Sequence, residues 1–189
     1  MKQLIILVMV LYGPLACSTE NTKCTYPAGI IKQGPPSNLS SITSYTWDAG
    51  QDIRSDEHLR TLRILFKNGD HAVIQHKYCN MYNIEVIYFR NSQASYLDEA
   101  TISKTVAGLF EQYSVIKVKF STPLTDIISS SLKKNHFDTD KDISIGLPES
   151  KATYKTSRVE YSINYKPLDE FNSLYSSAVK FYVGVGGES

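Results

Sequence analysis

The stretch that decides the fold is Leu59–Phe89, which reads LRTLRILFKNGDHAVIQHKYCNMYNIEVIYF. Its first part places Leu62, Ile64 and Phe66 at every second position, which is the pattern of a strand with one buried face. The Asn-Gly pair at 68–69 is the strongest short hairpin signal, because both residues accept positive φ. Two further alternating runs follow, at Ala72–Tyr78 and Ile84–Phe89. We therefore predict a three-stranded antiparallel meander, with Ser44–Trp47 as a weaker candidate for an opening strand.

Two helices are predicted after the meander. The first, Leu97–Tyr113, has a single apolar stripe at helical spacing, formed by Ile102, Val106, Leu109, Phe110 and Tyr113. The second begins near Thr122 and Pro123, because proline is favoured at the first helical position. Between the two helices, Val115–Phe120 alternates as a short strand.

The C-terminal part supplies the remaining elements. Ile143–Leu147 and Ala152–Lys166 are predicted to form another hairpin. Residues 168–182 fit both a helix and a strand, and we expect a helix that runs into a short extended tail. The resulting order, β-β-β-α-β-α-β-β-α, predicts an α+β domain with a mainly antiparallel sheet and two to three helices packed on it.

The N-terminus has the features of a secretion signal. Lys2 provides a positive charge, Leu4–Tyr12 is a short apolar run, and small residues follow Pro14. The run is too short to span a bilayer, which needs about 20 residues. We therefore predict an exported protein with a signal over residues 1–18, a flexible tether over 19–41 and a single domain over 42–189.

The end of the signal allows two kinds of processing. Leu15-Ala16-Cys17-Ser18 resembles a bacterial lipobox, and this resemblance implies that Cys17 becomes the lipidated first residue of the mature protein. Pro14 departs from the pattern, which usually has Leu there. The alternative is cleavage after Ser18. The expected location is the periplasm or the periphery of the outer membrane, either free or attached through lipid.

The net charge bears on the kind of partner, and the number of cysteines bears on disulfide formation. Without residues 1–18 the chain has 19 basic and 19 acidic side chains, which argues against electrostatic capture of nucleic acid. Processing at the signal leaves Cys24 and Cys79 as the cysteines available to pair. In an oxidising compartment we predict that these two form a disulfide.

Two groups of residues suggest a metal site. His71, His76 and Cys79 are close in sequence, but alternation along a strand places the two histidines on opposite faces, which argues against a shared ion. We expect His76 to be half-buried and His71 to be exposed beside a turn. The second group resembles a calcium-binding EF-hand loop, with an isoleucine where that family has its glycine. The resemblance implies a weak calcium site formed by Asp138, Asp140, Asp142 and Glu149.

The sequence contains no nucleophile motif and no glycine-rich phosphate loop, so no catalytic residue and no cofactor are predicted. The first functional hypothesis is therefore a binding module that occupies a protein partner in the bacterial envelope, for example an immunity or inhibitor protein. Thirteen tyrosines are compatible with a surface that recognises other proteins. The alternatives are a small envelope hydrolase with a site assembled from scattered residues, such as Asp70 and His76, and a structural lipoprotein.

Overall fold

The computed structural model describes residues 24–53, 55, 57–91, 93, 99–116, 118–120, 122–135, 143–146, 151–152, 159–167 and 174–185. These residues contain nine strands and two α-helices. The strands are β1 Ile42–Gln51, β2 His58–Phe66, β3 His71–Tyr78, β4 Tyr82–Asn91, β5 Val118–Lys119, β6 Ile143–Gly146, β7 Lys151–Ala152, β8 Val159–Pro167 and β9 Tyr175–Val185. The helices are α1 Glu99–Tyr113 and α2 Leu124–Asn135.

Seven of the strands form one antiparallel sheet in the order β1-β2-β3-β4-β9-β8-β6. The first four strands follow each other in chain order, as the repeated alternation and short turns predict. The short strands β5 and β7 pair with each other in a separate ladder. The predicted class, α+β with an antiparallel sheet, is therefore confirmed.

The hairpin between β2 and β3 uses a different turn from the one that two positive-φ residues would form. Gly69 has φ +83°, whereas Asn68 is not among the described residues with positive φ. The amide of Gly69 donates to the carbonyl of Phe66, and the amide of Phe66 donates to the carbonyl of Asp70. The loop therefore has three residues, 67–69, and ends in a left-handed glycine. The side chain of Asn68 accepts a hydrogen bond from the Asp70 amide at 3.1 Å.

The hydrophobic core lies between one face of the sheet and the two helices. The inner positions of the sheet are fully buried, among them Leu62, Ile74, Ile84 and Phe181. The predicted stripe of α1 packs on them, and the Phe110 and Phe181 rings meet edge to face with centroids 4.9 Å apart. This arrangement leaves the opposite face of the sheet without a described helix.

The helix expected within residues 168–182 is wrong from Tyr175 onward, where the chain forms strand β9. Val179, Phe181 and Val183 are buried, and the intervening Lys180 and Tyr182 are only partly so. This period of two matches a strand with neighbours on both sides, and β9 pairs with β4 and β8. The local apolar spacing is compatible with both a helix and a strand. The pairing of β9 with β4, which is distant in sequence, favours the strand.

The segment for which a tether is predicted is packed against the domain from Cys24 onward. Tyr26 and Ile31 lie in the core with exposed fractions of 1% and 6%. The Gln112 amide of α1 donates to the Pro35 carbonyl at 2.8 Å, and the Tyr113 hydroxyl donates to the Gly34 carbonyl at 3.2 Å. The prediction is thus corrected for residues 24–41, since two apolar anchors outweigh the polar composition of this segment. Residues 19–23 lie outside the described part.

Candidate functional site

The sheet face opposite the helices carries an apolar and aromatic surface. Strands β3 and β4 alternate between buried and half-buried residues, and the half-buried ones point away from the helices. Several of these outward positions hold large apolar or aromatic side chains rather than polar ones. We call this surface the outer-face patch, and it consists of Leu65, His71, Val73, Ile87, Phe89 and Tyr175.

Strand register places these residues in two adjacent rows across the sheet. In one row, Val73 is opposite Ile87. In the next row, Leu65 is opposite His71, and His71 is opposite Phe89. The patch extends from β2 to β9, a width of about 14 Å at roughly 4.8 Å per strand. Side chains from four strands therefore form one continuous surface.

Three aromatic rings pack against each other at one end of the outer-face patch. The His71 and Phe89 ring centroids are 6.0 Å apart, Phe89 and Tyr175 are 5.5 Å apart, and His71 and Tyr175 are 6.2 Å apart. The Tyr175 hydroxyl lies 3.5 Å from Nδ1 of His71. Mutual packing restricts these rings, so little side-chain entropy would be lost when another surface covers them.

Ion pairs border the apolar row on both sides. Arg63, opposite Val73, pairs with Asp48 on the edge strand. Lys180, opposite Ile87, pairs with Glu85. Each cation has an anionic partner, so the border is close to neutral. An apolar centre with a charged rim is the usual anatomy of a protein–protein interface.

Electrostatics also favour a neutral centre for the patch. Burial, with a smaller contribution from the Arg63 guanidinium, holds the pKa of His71 below its usual value of 6.5. The imidazole of His71 is therefore mainly uncharged at neutral pH. This makes the aromatic cluster an apolar surface rather than a cationic one.

His71 and His76 lie on opposite faces of β3, as the alternation predicts. The expectation that His76 is only half-buried is wrong, because it has no exposed surface. Its Nδ1 lies 2.9 Å from the Tyr82 hydroxyl, and its ring stacks on that of Trp47 with centroids 6.2 Å apart. Burial lowers the pKa of His76 to about 4, so the ring is neutral and belongs to the core.

Asp70 is fully buried, and its carboxyl group is held by hydrogen bonds from neighbouring residues. It accepts hydrogen bonds from the Tyr88 hydroxyl, from the Asn68 side chain at 2.6 Å and from the Asn91 amide at 2.8 Å. Burial, followed by the hydrogen bond to Asp70, raises the pKa of Tyr88 well above its usual value. Asp70 therefore anchors the β2–β3 turn to β4, and its lone pairs are engaged there rather than directed at a substrate.

The predicted disulfide is present in the structure. Cys24 and Cys79 are bonded, with their Cα atoms 4.4 Å apart, and join the N-terminal segment to the end of β3. His58 lies beside this bond, because the β2–β3 register pairs it with Tyr78. The ligating atoms of Cys24, His58 and Cys79 are all within 4.8 Å of one another. Sequence reasoning missed His58, since only strand register brings it next to Cys79.

A groove of about 430 Å³ lies between the N-terminal segment and α1. Ile42, Phe66 and Leu109 contribute apolar lining, whereas Lys104 and Glu111 are charged and solvent-exposed. These two charged groups of the lining are not desolvated, so the groove lacks the buried polar anchors that fix a ligand's orientation.

The remaining predicted site residues lie outside the described part of the chain. These are Cys17 and the calcium candidates Asp138, Asp140, Asp142 and Glu149. The outer-face patch was also missed at the sequence level. The signal that could have revealed it is the apolar character of Val73, Ile87 and Phe89, which occupy the outward positions of strands with one buried face.

Within the described ranges, no helix is both long and apolar enough to cross a membrane. No protein-family model matches this chain, and no significant match was found among curated proteins or solved structures.

Proposed function

We propose that this chain is an exported bacterial envelope protein that acts without turnover, as a binding module for another protein. The outer-face patch is the binding surface in this proposal. An immunity or inhibitor protein that occupies a toxin or enzyme in the periplasm is the concrete form that we favour. The single observation that carries the proposal is the cluster of His71, Phe89 and Tyr175 on the sheet face opposite the helices.

The composition of the patch supports a protein as the partner. Aromatic residues are enriched at the centre of protein interfaces, where they bury much area at a low cost in side-chain entropy. The nearby cations Arg63 and Lys180 are already paired with carboxylates, which reduces any general attraction for polyanions. The complementary partner surface would be apolar at its centre, with polar groups placed to meet the two ion pairs.

The fold supports a rigid mode of binding. The patch is built on four adjacent strands of a seven-stranded sheet, and its underside is the packed core. Binding surfaces on strands are held more precisely than those on loops. Little rearrangement is therefore expected when the partner binds.

The test compares variants of the patch with a matched variant elsewhere. The double variant Leu65→Lys/Phe89→Lys places two charges in the patch, whereas Ala100→Lys adds a charge on the exposed side of α1. The wild-type protein and Ala100→Lys are expected to capture the same stoichiometric partner from an envelope extract. The double variant should bind the purified partner at least 30-fold more weakly, which corresponds to about 2 kcal/mol.

Two results would contradict this proposal. The first is that the oxidised wild-type protein recovers no stoichiometric partner from the envelope of the bacterium that produces it. The second is that the double variant, with an unchanged circular dichroism spectrum, binds the partner as tightly as Ala100→Lys.

Export and anchoring form a separate part of the proposal. We expect the mature protein to begin at Cys17 and to carry lipid there, with cleavage after Ser18 as the alternative. Intact mass measurement of the protein from membrane and periplasmic fractions distinguishes these forms. For the lipid form, Cys17→Ala should move the protein out of the membrane fraction.

A further inference from the structure

The disulfide corner contains a third metal-ligating side chain. Cys24 and His58 are half-buried and Cys79 is buried, and their ligating atoms lie within 4.8 Å of one another. Two thiolates and an imidazole are ligands that zinc and similar soft divalent cations prefer. While the disulfide is intact, however, the sulfur atoms are not available as thiolates.

The dimensions of the corner suit a tetrahedral ion. With Zn–S bonds of about 2.3 Å and Zn–N bonds of about 2.0 Å, neighbouring ligand atoms are roughly 3.5 to 3.8 Å apart. The nitrogen of His58 already lies within 4.8 Å of both sulfurs. Once the sulfur–sulfur bond is broken, the His58 nitrogen has to approach the sulfurs by no more than roughly 1.3 Å to reach that spacing.

Backbone contacts hold the corner together independently of the disulfide. The Tyr26 amide donates to the Cys79 carbonyl at 2.8 Å, and the Cys79 amide donates to the Met81 carbonyl at 3.1 Å. The Tyr26 side chain is also anchored in the core, with 1% of its surface exposed. Reduction therefore leaves Cys24 and Cys79 close to each other.

A buried carboxyl group adjoins the corner. Glu57 is only 4% exposed, and its Oε1 accepts a hydrogen bond from the amide of Asn80, the residue that follows Cys79. Its Oε2 is buried and has no hydrogen-bond partner in the described part of the chain. Burial of a carboxyl oxygen without a hydrogen-bond partner is costly, and a cation bound nearby would lower that cost.

We propose that the Cys24–Cys79 pair, when reduced, forms together with His58 a binding site for a soft divalent cation of the zinc class. A dithiol supplies the two electrons and two protons that convert the disulfide into two thiols, and the dithiol itself becomes a disulfide. Binding of the cation then displaces the two thiol protons, so the thiolates neutralise its charge. The fourth coordination position is open to water. The metal then cross-links the N-terminal segment to the end of β3 in place of the covalent bond.

The experiment uses the full chain with Cys17→Ser in every sample, so that Cys17 contributes no thiolate. The protein is reduced with dithiothreitol, freed of it without air, and titrated with Co²⁺ alone. We expect one Co²⁺ per chain, with a thiolate-to-cobalt charge-transfer band and the d–d bands of tetrahedral cobalt. Zn²⁺ should displace the Co²⁺, and the oxidised protein should show neither band.

Variants separate this site from binding by thiols alone. His58→Ala should weaken Co²⁺ binding by at least about 10-fold, and His58→Cys should restore it with a stronger charge-transfer band. Ala100→Lys, on the exposed side of α1, should leave the titration unchanged. Zn²⁺ should also raise the melting temperature of the reduced protein but not that of the oxidised protein.

Any of three results overturns the proposal. These are that reduced protein binds no Co²⁺, that His58→Ala binds it as tightly as the parent, or that reduced protein loses its fold and Zn²⁺ fails to restore it. None of these results depends on the outer-face patch, so the proposed binding function is tested separately.

Discussion

Acid should destabilise this protein through His76, and replacing His76 with leucine should remove that effect. His76 is fully buried, and desolvation lowers its pKa from 6.5 to about 4. The unfolded chain therefore takes up a proton at this residue near pH 6.5, whereas the folded chain resists doing so until about pH 4. Because the unfolded state binds more protons in this window, stability falls as the pH falls from 6.5 to 4.

The size of this loss of stability follows from the pKa shift of His76. A difference of one pKa unit corresponds to about 1.4 kcal/mol, so the full effect across the window is about 3 kcal/mol. Between pH 7 and pH 5, this residue alone should lower the free energy of unfolding by about 2 kcal/mol. Below pH 4 its contribution becomes constant, because both states are then protonated.

The assay is urea denaturation followed by far-ultraviolet circular dichroism at pH 7, 6 and 5. His76→Leu loses the contact to the Tyr82 hydroxyl, so its stability at a single pH is not diagnostic. The informative quantity is the change in unfolding free energy between pH 7 and 5, which should be about 2 kcal/mol smaller in His76→Leu than in wild type. His71→Gln is the matched control. It should retain the part of the change in unfolding free energy between pH 7 and 5 that His76 contributes. An equal pH dependence in His76→Leu and wild type would refute the reasoning.

Three further predictions concern the covalent link, the turn and the core. The variant Cys24→Ser/Cys79→Ser lacks the disulfide and should lose about 4 kcal/mol of unfolding free energy, because a loop spanning 55 residues is no longer closed in the unfolded chain. An unchanged midpoint of urea denaturation would contradict this. Gly69→Ala should cost about 1 to 2 kcal/mol, mainly because φ is +83°, and the Asn91 side chain must also move to make room for a Cβ; the same urea titration checks this, and an unchanged stability would mean that the turn differs. Phe181→Ala should cost about 3 to 5 kcal/mol in that titration, because this ring is fully buried; a loss below 1 kcal/mol would argue against its place in the core.

Local patterns predicted the first sheet strands and both described helices well. Strand β2 and helix α1 each bury one face, so the alternation of Leu62 and Ile64 and the apolar stripe of α1 were sufficient to identify them. The turn at Asn68 and Gly69 was located correctly, although only Gly69 has positive φ. Asn68 uses its side chain as a hydrogen-bond acceptor for the Asp70 amide, and it does not share the positive φ of Gly69.

The candidate site was less accessible to sequence reasoning. The outer-face patch requires knowledge of which residues are opposite each other on four strands, one of which, β9, comes from the far end of the chain. Tyr175 reaches His71 and Phe89 only because β9 inserts next to β4. A pattern confined to neighbouring residues contains no information on that pairing.

The cysteine pair illustrates the division between sequence and tertiary structure. By itself, the sequence determined that Cys24 and Cys79 would pair, that an α+β domain with an antiparallel sheet would form, and that His71 and His76 would lie on opposite faces. The cysteine pairing follows from the number of cysteines that remain after the predicted processing of the signal, and the faces of His71 and His76 follow from the period of a strand. Neither inference requires knowledge of contacts between distant residues. Only the tertiary structure decided that His58 lies beside the disulfide, that Tyr175 completes an aromatic cluster, and that residues 24–41 pack on the domain. Contacts between residues distant in sequence form when buried area outweighs chain entropy, and that balance is set by the whole fold.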